Sequence, residues 1–263
     1  MKIQGSVAIV TGGAQGIGKH ICRALLSRGG KVAIFDVDQE KGTQLQERLQ
    51  KQYGTGEVKF ITCDVTSESQ MTDSFKKTKE AFGQINIVCN NAGIGALNEG
   101  ACWERVVDIN LKGVIRGQLL GIQHMGWSHG GTGGAIVNVA SLAAILPMGS
   151  WQAVYTATKS GVMALSKSCK DLKETEGIRV NCICPGFTNT KMVKNPQFLA
   201  SESSYREKDI ISKLGLISPE EVASGVMQLI EDENYNAAVM TVTKTKGIEI
   251  LEKWTPRLRK SNL

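Results

Sequence analysis

Seven short runs of apolar and β-branched residues recur along the chain, and each run is continuous rather than alternating. They occupy residues 6–11, 31–36, 58–62, 85–89, 135–139, 178–183 and 237–243. A continuous apolar run of this length is typical of a strand buried on both faces, as in a parallel sheet covered by helices. The pattern therefore predicts seven parallel strands.

Helical stretches separate these runs. They lie near residues 17–29, 39–52, 68–82, 101–126, 152–175 and 219–231. The last has a clear start signal, with Ser218 as the N-cap, Pro219 at the first helical position and Glu221 at the capping-box position. Strand and helix alternate without a Pro/Ser-rich linker. We therefore predict one α/β domain over residues 1–263, a doubly wound (Rossmann) sheet of seven parallel strands with helices on both faces.

One connection is too long for an ordinary loop of such a fold. Residues 187–217 are polar and irregular, and loops of this length are usually functional lids or disordered segments. We predict a lid over a substrate. Its apolar residues could enclose a lipid-like chain or pack in the core, and they are Met192, Val193, Phe198, Leu199, Ile210, Ile211 and Leu214.

Glycine is the unusual component of the composition. The chain has 29 glycines among 263 residues, above the roughly 7% of average proteins, but only five prolines. This combination excludes collagen and low-complexity disorder and predicts tight turns or close approach of the backbone to a ligand. The three histidines form no HExxH motif and the cysteines no paired CxxC motif, so the sequence predicts no metal site.

Cysteine usage and charge bear on the compartment and the partners. The seven cysteines are scattered through apolar runs, which is typical of reduced, buried thiols in a cytoplasmic protein. No secretory h-region follows the first residues, and no apolar run approaches the roughly 18 residues that span a bilayer. The net charge is +6, and residues 251–263 contribute four cations and one acid to it. A solvated basic tail is therefore expected rather than a nucleic-acid partner.

A glycine-rich loop follows the first predicted strand directly and opens the first predicted helix. Its sequence, TGGAQGIG at 11–18, places glycines at Gly12, Gly16 and Gly18. These glycines permit a tight turn, let the backbone approach a pyrophosphate and allow close packing of the helix on the sheet. The loop therefore predicts a dinucleotide coenzyme.

The end of the second predicted strand indicates which dinucleotide binds. Asp36 can accept hydrogen bonds from the hydroxyls of the adenosine ribose. The same carboxylate repels the 2′-phosphate of NADP, and Val37 supplies no compensating cation. Lys19 is the one nearby basic residue, and its charge would favour NADP. The pattern favours NAD.

Tyr155 and Lys159 stand four residues apart and share one face of the fifth predicted helix. A phenol is a poor base at neutral pH, but a nearby ammonium and a positive nicotinamide ring favour phenolate and lower its pKa. Tyr155 is therefore the candidate base for a substrate alcohol, with Ser141 hydrogen-bonded to the same oxygen and Lys159 in reach of the nicotinamide ribose. Taken alone, a surface Tyr–Lys pair is the simpler interpretation; the glycine loop favours the catalytic one.

In combination, these motifs resemble those of the short-chain dehydrogenase/reductase family of the single-domain type, over nearly the whole chain. The resemblance is carried by the loop at 11–18, Cys63-Asp64-Val65, Asn90-Asn91-Ala92-Gly93, Asn110, Ser141, Tyr155, Lys159 and Pro185-Gly186. It implies an NAD-dependent alcohol dehydrogenase with a catalytic tetrad of Ser141, Tyr155, Lys159 and Asn110. The last of these would anchor a water linked to the lysine.

The resemblance also implies a set of coenzyme contacts. Asp64 and Val65 would meet the adenine, and residues 188–190 would contact the carboxamide side of the nicotinamide. The full set of candidates is Gly12, Gln15, Gly16, Ile17, Gly18, Asp36, Val37, Cys63, Asp64, Val65, Asn91, Tyr155, Lys159, Pro185, Thr188, Asn189 and Thr190.

Within that family the chain resembles the members that oxidise 15-hydroxyprostaglandin, and insect alcohol dehydrogenases are a second likeness. Gln152 matches a glutamine that assists at the substrate hydroxyl in the former, so the substrate-binding candidates are Ser141, Gln152 and Tyr155. The chain departs from the pattern around the substrate, with one extra residue between Ser141 and Tyr155, with Trp151, and with Leu214 in place of a pocket tyrosine.

The resemblance leaves three hypotheses open. The first is NAD-dependent oxidation of a secondary alcohol on a hydroxy-lipid, such as a prostaglandin or a hydroxy fatty acid. The second is oxidation of smaller alcohols, terpenoids, retinoids or steroids, and the third is an NAD-binding sensor or scaffold without turnover. Related enzymes also imply a homodimer, formed by the helices at 101–126 and 152–175. Trp103 or Trp127 would lie in that interface, or else in the interior or a pocket.

Overall fold

The structure is a computed structural model that describes residues 1–95, 103–147, 149–193 and 214–251 and, of Trp151, the backbone alone. Within these residues the strands form one sheet. Its members are β1 (Val7–Thr11), β2 (Lys31–Asp36), β3 (Val58–Thr62), β4 (Ile87–Asn90), β5 (Gly134–Val139), β6 (Ile178–Pro185), β7 (Val239–Thr243) and β8 (Gly247–Ile250). They lie in the order β3-β2-β1-β4-β5-β6-β7-β8. The predicted doubly wound α/β fold is confirmed.

The sheet has one strand more than predicted, and it is not wholly parallel. Strands β1 to β7 pair in parallel, as expected. β8 forms a hairpin with β7 and pairs antiparallel to it, with Thr243 opposite Gly247. Exposed and half-buried residues alternate along β8. It therefore lacks the continuous apolar run that marks the other seven strands.

Helices connect the strands across both faces of the sheet. They are α1 (Gly16–Leu26), α2 (Gln39–Tyr53), α3 (Glu68–Phe82), α4 (Trp103–Val107), α5 (Gly113–Met125), α6 (Ala153–Lys167), α7 (Leu172–Glu176) and α8 (Pro219–Glu231). The start of α8 is as predicted, because Glu221 N–H donates to the Ser218 hydroxyl (3.1 Å) and Ser218 N–H to the Glu221 carboxylate (2.7 Å). None of the helices in the described ranges is long and apolar enough to cross a membrane.

Two of the predicted helices are interrupted. In the first, over 101–126, a π-helical turn at Asp108–Lys112 separates α4 from α5. In the second, over 152–175, α6 ends at Lys167 and α7 begins five residues later. At this break the Ser168 hydroxyl donates to the Ala164 carbonyl (3.0 Å), a back-bond that bends helices. Apolar residues continue through both segments of the sequence, so the hydrophobic pattern predicts one helix in each case.

Both faces of the sheet are buried, as the continuous apolar runs predict. Val10 of β1 belongs to the core on one face, together with Leu25 of α1 and Val226 of α8. Its neighbour Ile9 belongs to the core on the opposite face, together with Phe75 of α3. All five side chains are fully buried. Successive strand residues point to opposite faces, so each strand contributes to both cores.

The order of the strands reverses at β1. From β1 the chain proceeds to β2 and β3 on one side and then crosses to β4 on the other side. In open α/β sheets a ligand binds outside the carboxyl ends of the strands at such a reversal. Thr11 ends β1 and Asn90 ends β4. The loops that follow these two residues should therefore flank the site.

Candidate active site

The glycine loop packs against the loop after β4, and its geometry requires glycine. Gly12 and Gly16 have φ angles of +61° and +52°, in the left-handed region that favours glycine. A Cβ atom on Gly12 would lie 2.8 Å from the Ala92 Cα, and one on Gly18 would lie 2.2 Å from the Gly12 carbonyl oxygen. The absence of side chains therefore lets the loop, the helix and the neighbouring strand end pack closely.

The N-terminus of α1 is available to an anion. Gln15 takes the N-cap position, but its side chain makes no capping hydrogen bond, and the first turn of α1 contains no acidic residue. Among the described side chains, none accepts from the first N–H groups of the helix, and the helix dipole favours negative charge there. Gln15, Gly16 and Ile17 all line the cleft at this point. The arrangement fits the pyrophosphate of a dinucleotide.

Asp36 ends β2 beside this loop, and two backbone donors hold its carboxylate. The Ala14 N–H donates to one oxygen (2.9 Å) and the Asp38 N–H to the other (3.1 Å). Asp36 is buried, whereas Val37 is 63% exposed. A carboxylate oxygen can accept more than one hydrogen bond, so Asp36 keeps capacity for the ribose hydroxyls. Both residues line the cleft.

Cations line the same part of the cleft. They include Lys19 on α1, Lys41 and Arg48 on α2 and Lys191 in the loop after β6, and Lys41 forms an ion pair with Asp38. Burial lowers the pKa of Lys19, and the charges of Arg23 and Arg48 lower it further, because these cations lie near one another. The sequence singled out Lys19 alone, since the approach of α2 to α1 depends on the tertiary fold.

Cys63, Asp64 and Val65 follow β3 and line the cleft near Asp36. The Cys63 N–H donates to the Asp36 carbonyl (3.0 Å), and its thiol lies in the core, 3.5 Å from the Met71 sulfur. The Asp64 carboxylate accepts from the N–H and the hydroxyl of Thr66 (2.8 Å each). This turn orients the Asp64 side chain.

Asn91 joins the loop after β4 to the glycine loop. Its side-chain amide donates to the carbonyls of Thr11 (2.9 Å) and Gly12 (3.1 Å). The Thr11 hydroxyl in turn accepts from the N–H groups of Asn91 (3.0 Å) and Ala92 (3.1 Å). Asn91 lines the cleft, but its amide group is used to hold the two loops together.

The loop after β6 covers the glycine loop from another side. The Asn189 N–H donates to the Ile217 carbonyl (2.9 Å), and Thr188 pairs with Ile217 in an isolated bridge. The methyl carbon of Thr190 lies 3.5 Å from the position of a Cβ on Gly16. The candidates of this loop all line the cleft, and they are Pro185, Thr188, Asn189 and Thr190.

Tyr155 and Lys159 lie on the first turns of α6, and both line the cleft. Lys159 Nζ lies 5.9 Å from the centre of the Tyr155 ring and donates to the Val139 carbonyl (2.9 Å). Ser141 follows β5, where its hydroxyl oxygen accepts the Ala143 N–H (3.2 Å) and keeps its own proton for donation. The fold thus brings the three predicted catalytic side chains together from α6 and the loop after β5.

Asn110 is fully buried in the π-helical turn between α4 and α5. Its side chain accepts from the Ile94 N–H (2.8 Å) and donates to the Ile94 carbonyl (2.9 Å). A Cβ on Gly93 would lie 3.3 Å from both the Asn110 Oδ1 and the Lys159 Nζ. The Asn110 amide is therefore used to hold the loop after β4 next to Lys159, and its link to a water stays a prediction.

Burial controls the proton affinity of the Tyr155–Lys159 pair. It raises the pKa of Tyr155 above the ordinary phenol value, although hydrogen bonding from Ser141 opposes this change. Burial also lowers the pKa of Lys159 to about 8. The lowered pKa of Tyr155 that the sequence predicts is therefore not a property of the protein alone.

One cleft of about 1010 Å³ contains these residues, from Asp36 at the end of β2 to Gln152 and Tyr155 at the start of α6. A cleft of this size lies at the upper end of small-molecule sites and can hold a dinucleotide together with a substrate. Part of its lining is apolar, from Ile94, Leu142, Ala143, Phe187, Met192 and Val193. Among the described side chains, no cluster of three or more His, Cys, Asp or Glu could hold a metal ion.

The predicted lid is only partly described. Residues 194–213 lie outside the described ranges, and so do four of the apolar candidates, namely Phe198, Leu199, Ile210 and Ile211. Met192 and Val193 line the cleft, whereas Leu214 is half-buried outside it. The basic tail from residue 252 onwards also lies outside the described ranges.

The sequence of elements and motifs in this site matches a known family. The family model described as short chain dehydrogenase matches residues 6–197, which include the glycine loop, Tyr155 and Lys159. The chain belongs to the short-chain dehydrogenase family. It is therefore an oxidoreductase of the alcohol dehydrogenase type that uses a nicotinamide coenzyme and a small-molecule substrate.

Individual members of the short-chain dehydrogenase family resemble the chain over nearly all of its length. The 15-hydroxyprostaglandin dehydrogenase (NAD(+)) of Homo sapiens is 39% identical over 255 residues, which are 94% of each chain. The NADP-dependent (R)-specific alcohol dehydrogenase of Lentilactobacillus kefiri is 32% identical over 241 residues, 89% of this chain and 92% of the relative. The crystal structure of levodione reductase matches with a TM-score of 0.82 at 29% identity, over 91% of this chain and 96% of that one. The resemblance to 15-hydroxyprostaglandin dehydrogenases is thus confirmed.

This short-chain dehydrogenase also contains a buried polar network that sequence reasoning missed. The Asn90 amide donates to the Asn138 Oδ1 (2.9 Å), and the Asn138 amide donates to Gln118 (2.7 Å) and to the Ser166 hydroxyl (3.0 Å). All four residues are buried, and they connect β4, β5, α5 and α6 beneath the cleft. The available signal was the single asparagine in the apolar run AIVNV of β5.

Proposed function

We propose that the chain catalyses the NAD-dependent oxidation of a secondary alcohol to a ketone. One observation carries the proposal. A single cleft joins a dinucleotide cradle, formed by the glycine loop and Asp36, to the Tyr155–Lys159 pair with Ser141 beside it. A nicotinamide coenzyme in that cradle supplies the hydride acceptor, and the protein supplies position and electrostatics.

The polar residues have separate tasks in this proposal. As the alcohol is oxidised, its oxygen gains alkoxide character, and Tyr155 takes the hydroxyl proton as the general base. The Ser141 hydroxyl donates a hydrogen bond to the same oxygen and stabilises its charge. Lys159 is mostly protonated below about pH 8 and favours the phenolate form of Tyr155. Asn110 is a positioning residue, since it holds the loop after β4 beside Lys159.

Asp36 supports NAD rather than NADP as the coenzyme. Its buried carboxylate repels a 2′-phosphate, while the cations Lys19, Arg48 and Lys191, which also line the cleft, would attract one. The Asp36→Ala variant should lower the ratio of kcat/KM for NAD to that for NADP by about 10- to 100-fold, the value of a hydrogen bond to a charged group. Steady-state kinetics with both coenzymes measures the ratio.

The matched control is Asp73→Ala, because Asp73 is exposed on α3 and does not line the cleft. It should leave the NAD to NADP ratio unchanged. An unchanged ratio in the Asp36→Ala variant itself would show that another feature selects the coenzyme.

We further propose a hydroxy-lipid as the substrate, such as 15-hydroxyprostaglandin or a hydroxy fatty acid. The apolar part of the cleft lining supports this, and so does the likeness to 15-hydroxyprostaglandin dehydrogenase. Met192 of the lining is an exposed apolar side chain, and further exposed apolar side chains occur near lining segments, at Leu146, Val154 and Leu216. Exposed apolar surface around a cleft is typical of a site for an apolar ligand.

A panel of alcohols with NAD tests the reaction and the substrate class together. We expect NADH fluorescence to appear with 15-hydroxyprostaglandin or a mid-chain hydroxy fatty acid. The kcat/KM should be at least about 10-fold higher than with 2-propanol, because added methylenes in an apolar pocket raise it by such factors. Preference for farnesol, retinol or a steroid alcohol would favour the second substrate class. NAD binding without reduction by any alcohol would favour a sensor or scaffold.

The helices α4, α5 and α6 support a homodimer, which we propose as the assembly. Trp103 and Leu119 are 57% and 60% exposed on α4 and α5, and Val154 is exposed on α6. Trp127 is also exposed, so neither tryptophan lies in the interior, and neither lines the cleft. Analytical ultracentrifugation should give twice the chain mass of 28.4 kDa. A sedimenting monomer would contradict the proposal.

The cysteines support the cytoplasm as the compartment, and we propose it on that ground. The six cysteines in the described ranges are free thiols. Five of them are buried, and they are Cys22, Cys63, Cys89, Cys182 and Cys184. Buried free thiols are typical of a reducing compartment.

A further inference from the structure

Two loops that border the cleft approach each other at Gly95 and Met192. Gly95 lies in the loop after β4 and Met192 in the loop after β6, and both line the cleft. A Cβ atom on Gly95 would lie 3.6 Å from the Met192 Cγ and 3.8 Å from its sulfur. These are ordinary van der Waals distances. The width of the passage between the loops therefore depends on the size of both side chains.

Neither the backbone nor close packing requires glycine at residue 95. Gly95 is not among the glycines with positive φ. Among the described residues, the atom nearest to its Cβ position lies at 3.6 Å, in contrast to Gly18, where the nearest atom is at 2.2 Å. What glycine provides at this position is open space, and the larger side chain on the opposite side is Met192.

The Gly95 side of the contact is rigid. The preceding residue, Ile94, has both its N–H and its carbonyl bonded to the Asn110 side chain, which is fully buried. One residue earlier, Gly93 lies beside Lys159, because a Cβ atom on Gly93 would be 3.3 Å from the Lys159 Nζ. The backbone at residues 93–95 is therefore held at a fixed distance from the catalytic lysine.

On the opposite side, the loop before Met192 packs on the glycine loop, and the Met192 side chain itself is adaptable. Two residues earlier, the Thr190 N–H bonds to the Thr188 carbonyl (2.7 Å), and the Thr190 methyl packs over Gly16. Met192 itself is 41% exposed. A methionine has three rotatable bonds and a polarisable sulfur, so it can repack around apolar surfaces of different shape. The passage thus has one fixed wall and one adaptable, apolar wall.

We propose that Gly95 and Met192 form an aperture that determines which alcohols reach Tyr155. The aperture admits an unbranched apolar chain and excludes substituents that are branched next to the carbinol carbon. Both are specificity-determining residues and take no part in the chemical step. The inference rests on the proposed alcohol oxidation and adds to it the residues that select the substrate.

Two variants with opposite effects test the aperture. Gly95→Val narrows the passage and should lower kcat/KM for 2-octanol at least about 10-fold, while that for 2-propanol changes by less than about twofold. Met192→Ala widens the passage and should raise kcat/KM for 3,3-dimethyl-2-butanol relative to 2-octanol by about 10-fold. The KM for NAD should stay within about twofold in both variants.

The control for Gly95→Val is Gly56→Val, because no atom of the described residues lies within 4 Å of the Cβ position of Gly56 and its φ is not positive. This variant should leave kcat/KM for 2-octanol and for 2-propanol unchanged. If Gly95→Val fails to fold, Gly95→Ala should show a smaller change in the same direction. Equal losses for 2-octanol and 2-propanol in a folded variant would overturn the aperture.

The same variants separate the aperture from the proposed reaction. If the wild-type protein oxidises no alcohol, the proposed function fails. The aperture is then tested by the dissociation constants of 2-octanone and 3,3-dimethyl-2-butanone from the protein–NADH complex, followed by NADH fluorescence. Gly95→Val should weaken the binding of 2-octanone, and Met192→Ala should strengthen the binding of 3,3-dimethyl-2-butanone relative to 2-octanone, by the factors expected for the alcohols. Unchanged dissociation constants would overturn the aperture.

Discussion

Replacement of Tyr155 by phenylalanine should abolish alcohol oxidation and leave coenzyme binding intact. Loss of a positioned general base lowers the rate by about 10²- to 10⁴-fold, so we expect kcat to fall about 10³-fold, or about 4 kcal/mol in activation free energy. The change deletes one oxygen and keeps the ring that lies 5.9 Å from Lys159 Nζ. Steady-state kinetics gives kcat, and a fluorescence titration gives the dissociation constant of NADH, which should change by less than about threefold.

Tyr53→Phe provides the matched control for this variant. Tyr53 ends α2, its hydroxyl accepts a hydrogen bond from Gln52 (3.1 Å), and it does not line the cleft. This variant also removes one phenol oxygen, but at a position outside the cleft, so kcat should stay at the wild-type value. Retained turnover in Tyr155→Phe would disprove the role of Tyr155 as the base. Loss of NADH binding together with turnover would instead indicate that the tyrosine supports the cleft.

Lys159→Met should lower kcat/KM for the alcohol by about 10²- to 10³-fold and shift its pH dependence. Methionine keeps the apolar stem but removes the charge that favours the phenolate form of Tyr155. In the proposed mechanism the deprotonated form of Tyr155 is the base, so kcat/KM for oxidation should increase with pH in the wild-type enzyme. Without the cation, this increase should move to higher pH. The pH profile of kcat/KM measures the shift, and an unmoved profile would contradict the electrostatic role.

The stability of the Lys159→Met variant shows whether the loss is chemical or structural. Burial lowers the pKa of Lys159 from 10.5 to about 8, so the unfolded chain binds this proton more tightly than the folded one. The charge therefore costs stability below about pH 8, on the order of 3 kcal/mol, and the cost disappears as pH rises from about 8 to 10.5. Removal of the buried charge should therefore raise the free energy of unfolding, and loss of the hydrogen bond to the Val139 carbonyl should lower it. The two effects oppose each other.

We therefore expect the melting temperature of Lys159→Met at neutral pH to stay within a few degrees of the wild-type value. The Lys76→Met variant serves as the control, since Lys76 is exposed on α3 and pairs only weakly with Glu80 at 4.0 Å. It should change neither the pH profile nor the melting temperature. A large decrease in melting temperature for Lys159→Met would indicate that its lost activity reflects unfolding.

Most of the fold could be predicted from hydrophobic patterning, and the exceptions have physical causes. The strands β1 to β7 are buried on both faces, so each leaves a continuous apolar run in the sequence. β8 has one exposed face and is only four residues long, and so its pattern is too weak to detect. The π-helical turn at Asp108–Lys112 contains Asn110, whose side chain bonds to Ile94 in the loop after β4. No local pattern encodes that bond.

In the candidate site, the sequence predicts the residues but not their hydrogen-bond partners. The sequence identified Asp36, Asn91 and Asn110 as site residues, but not the atoms that hold them. Those atoms are the backbone groups of Ala14, Gly12 and Ile94, which lie 22, 79 and 16 residues away along the chain. Backbone groups are present at every residue, so the sequence carries no signal for the ones that are used.

The sequence by itself determined the family, the order of strands and helices along the chain and the chemistry of the coenzyme loop, because the glycine loop after the first strand and the Tyr155–Lys159 pair occur together and in a fixed order. Only the tertiary structure decided the proton affinities of Tyr155 and Lys159 and the shape of the entrance to the cleft. Burial raises the pKa of Tyr155 and lowers that of Lys159, and burial is a property of the packed chain. The contact between Gly95 and Met192 likewise joins loops almost a hundred residues apart, which only the sheet brings together.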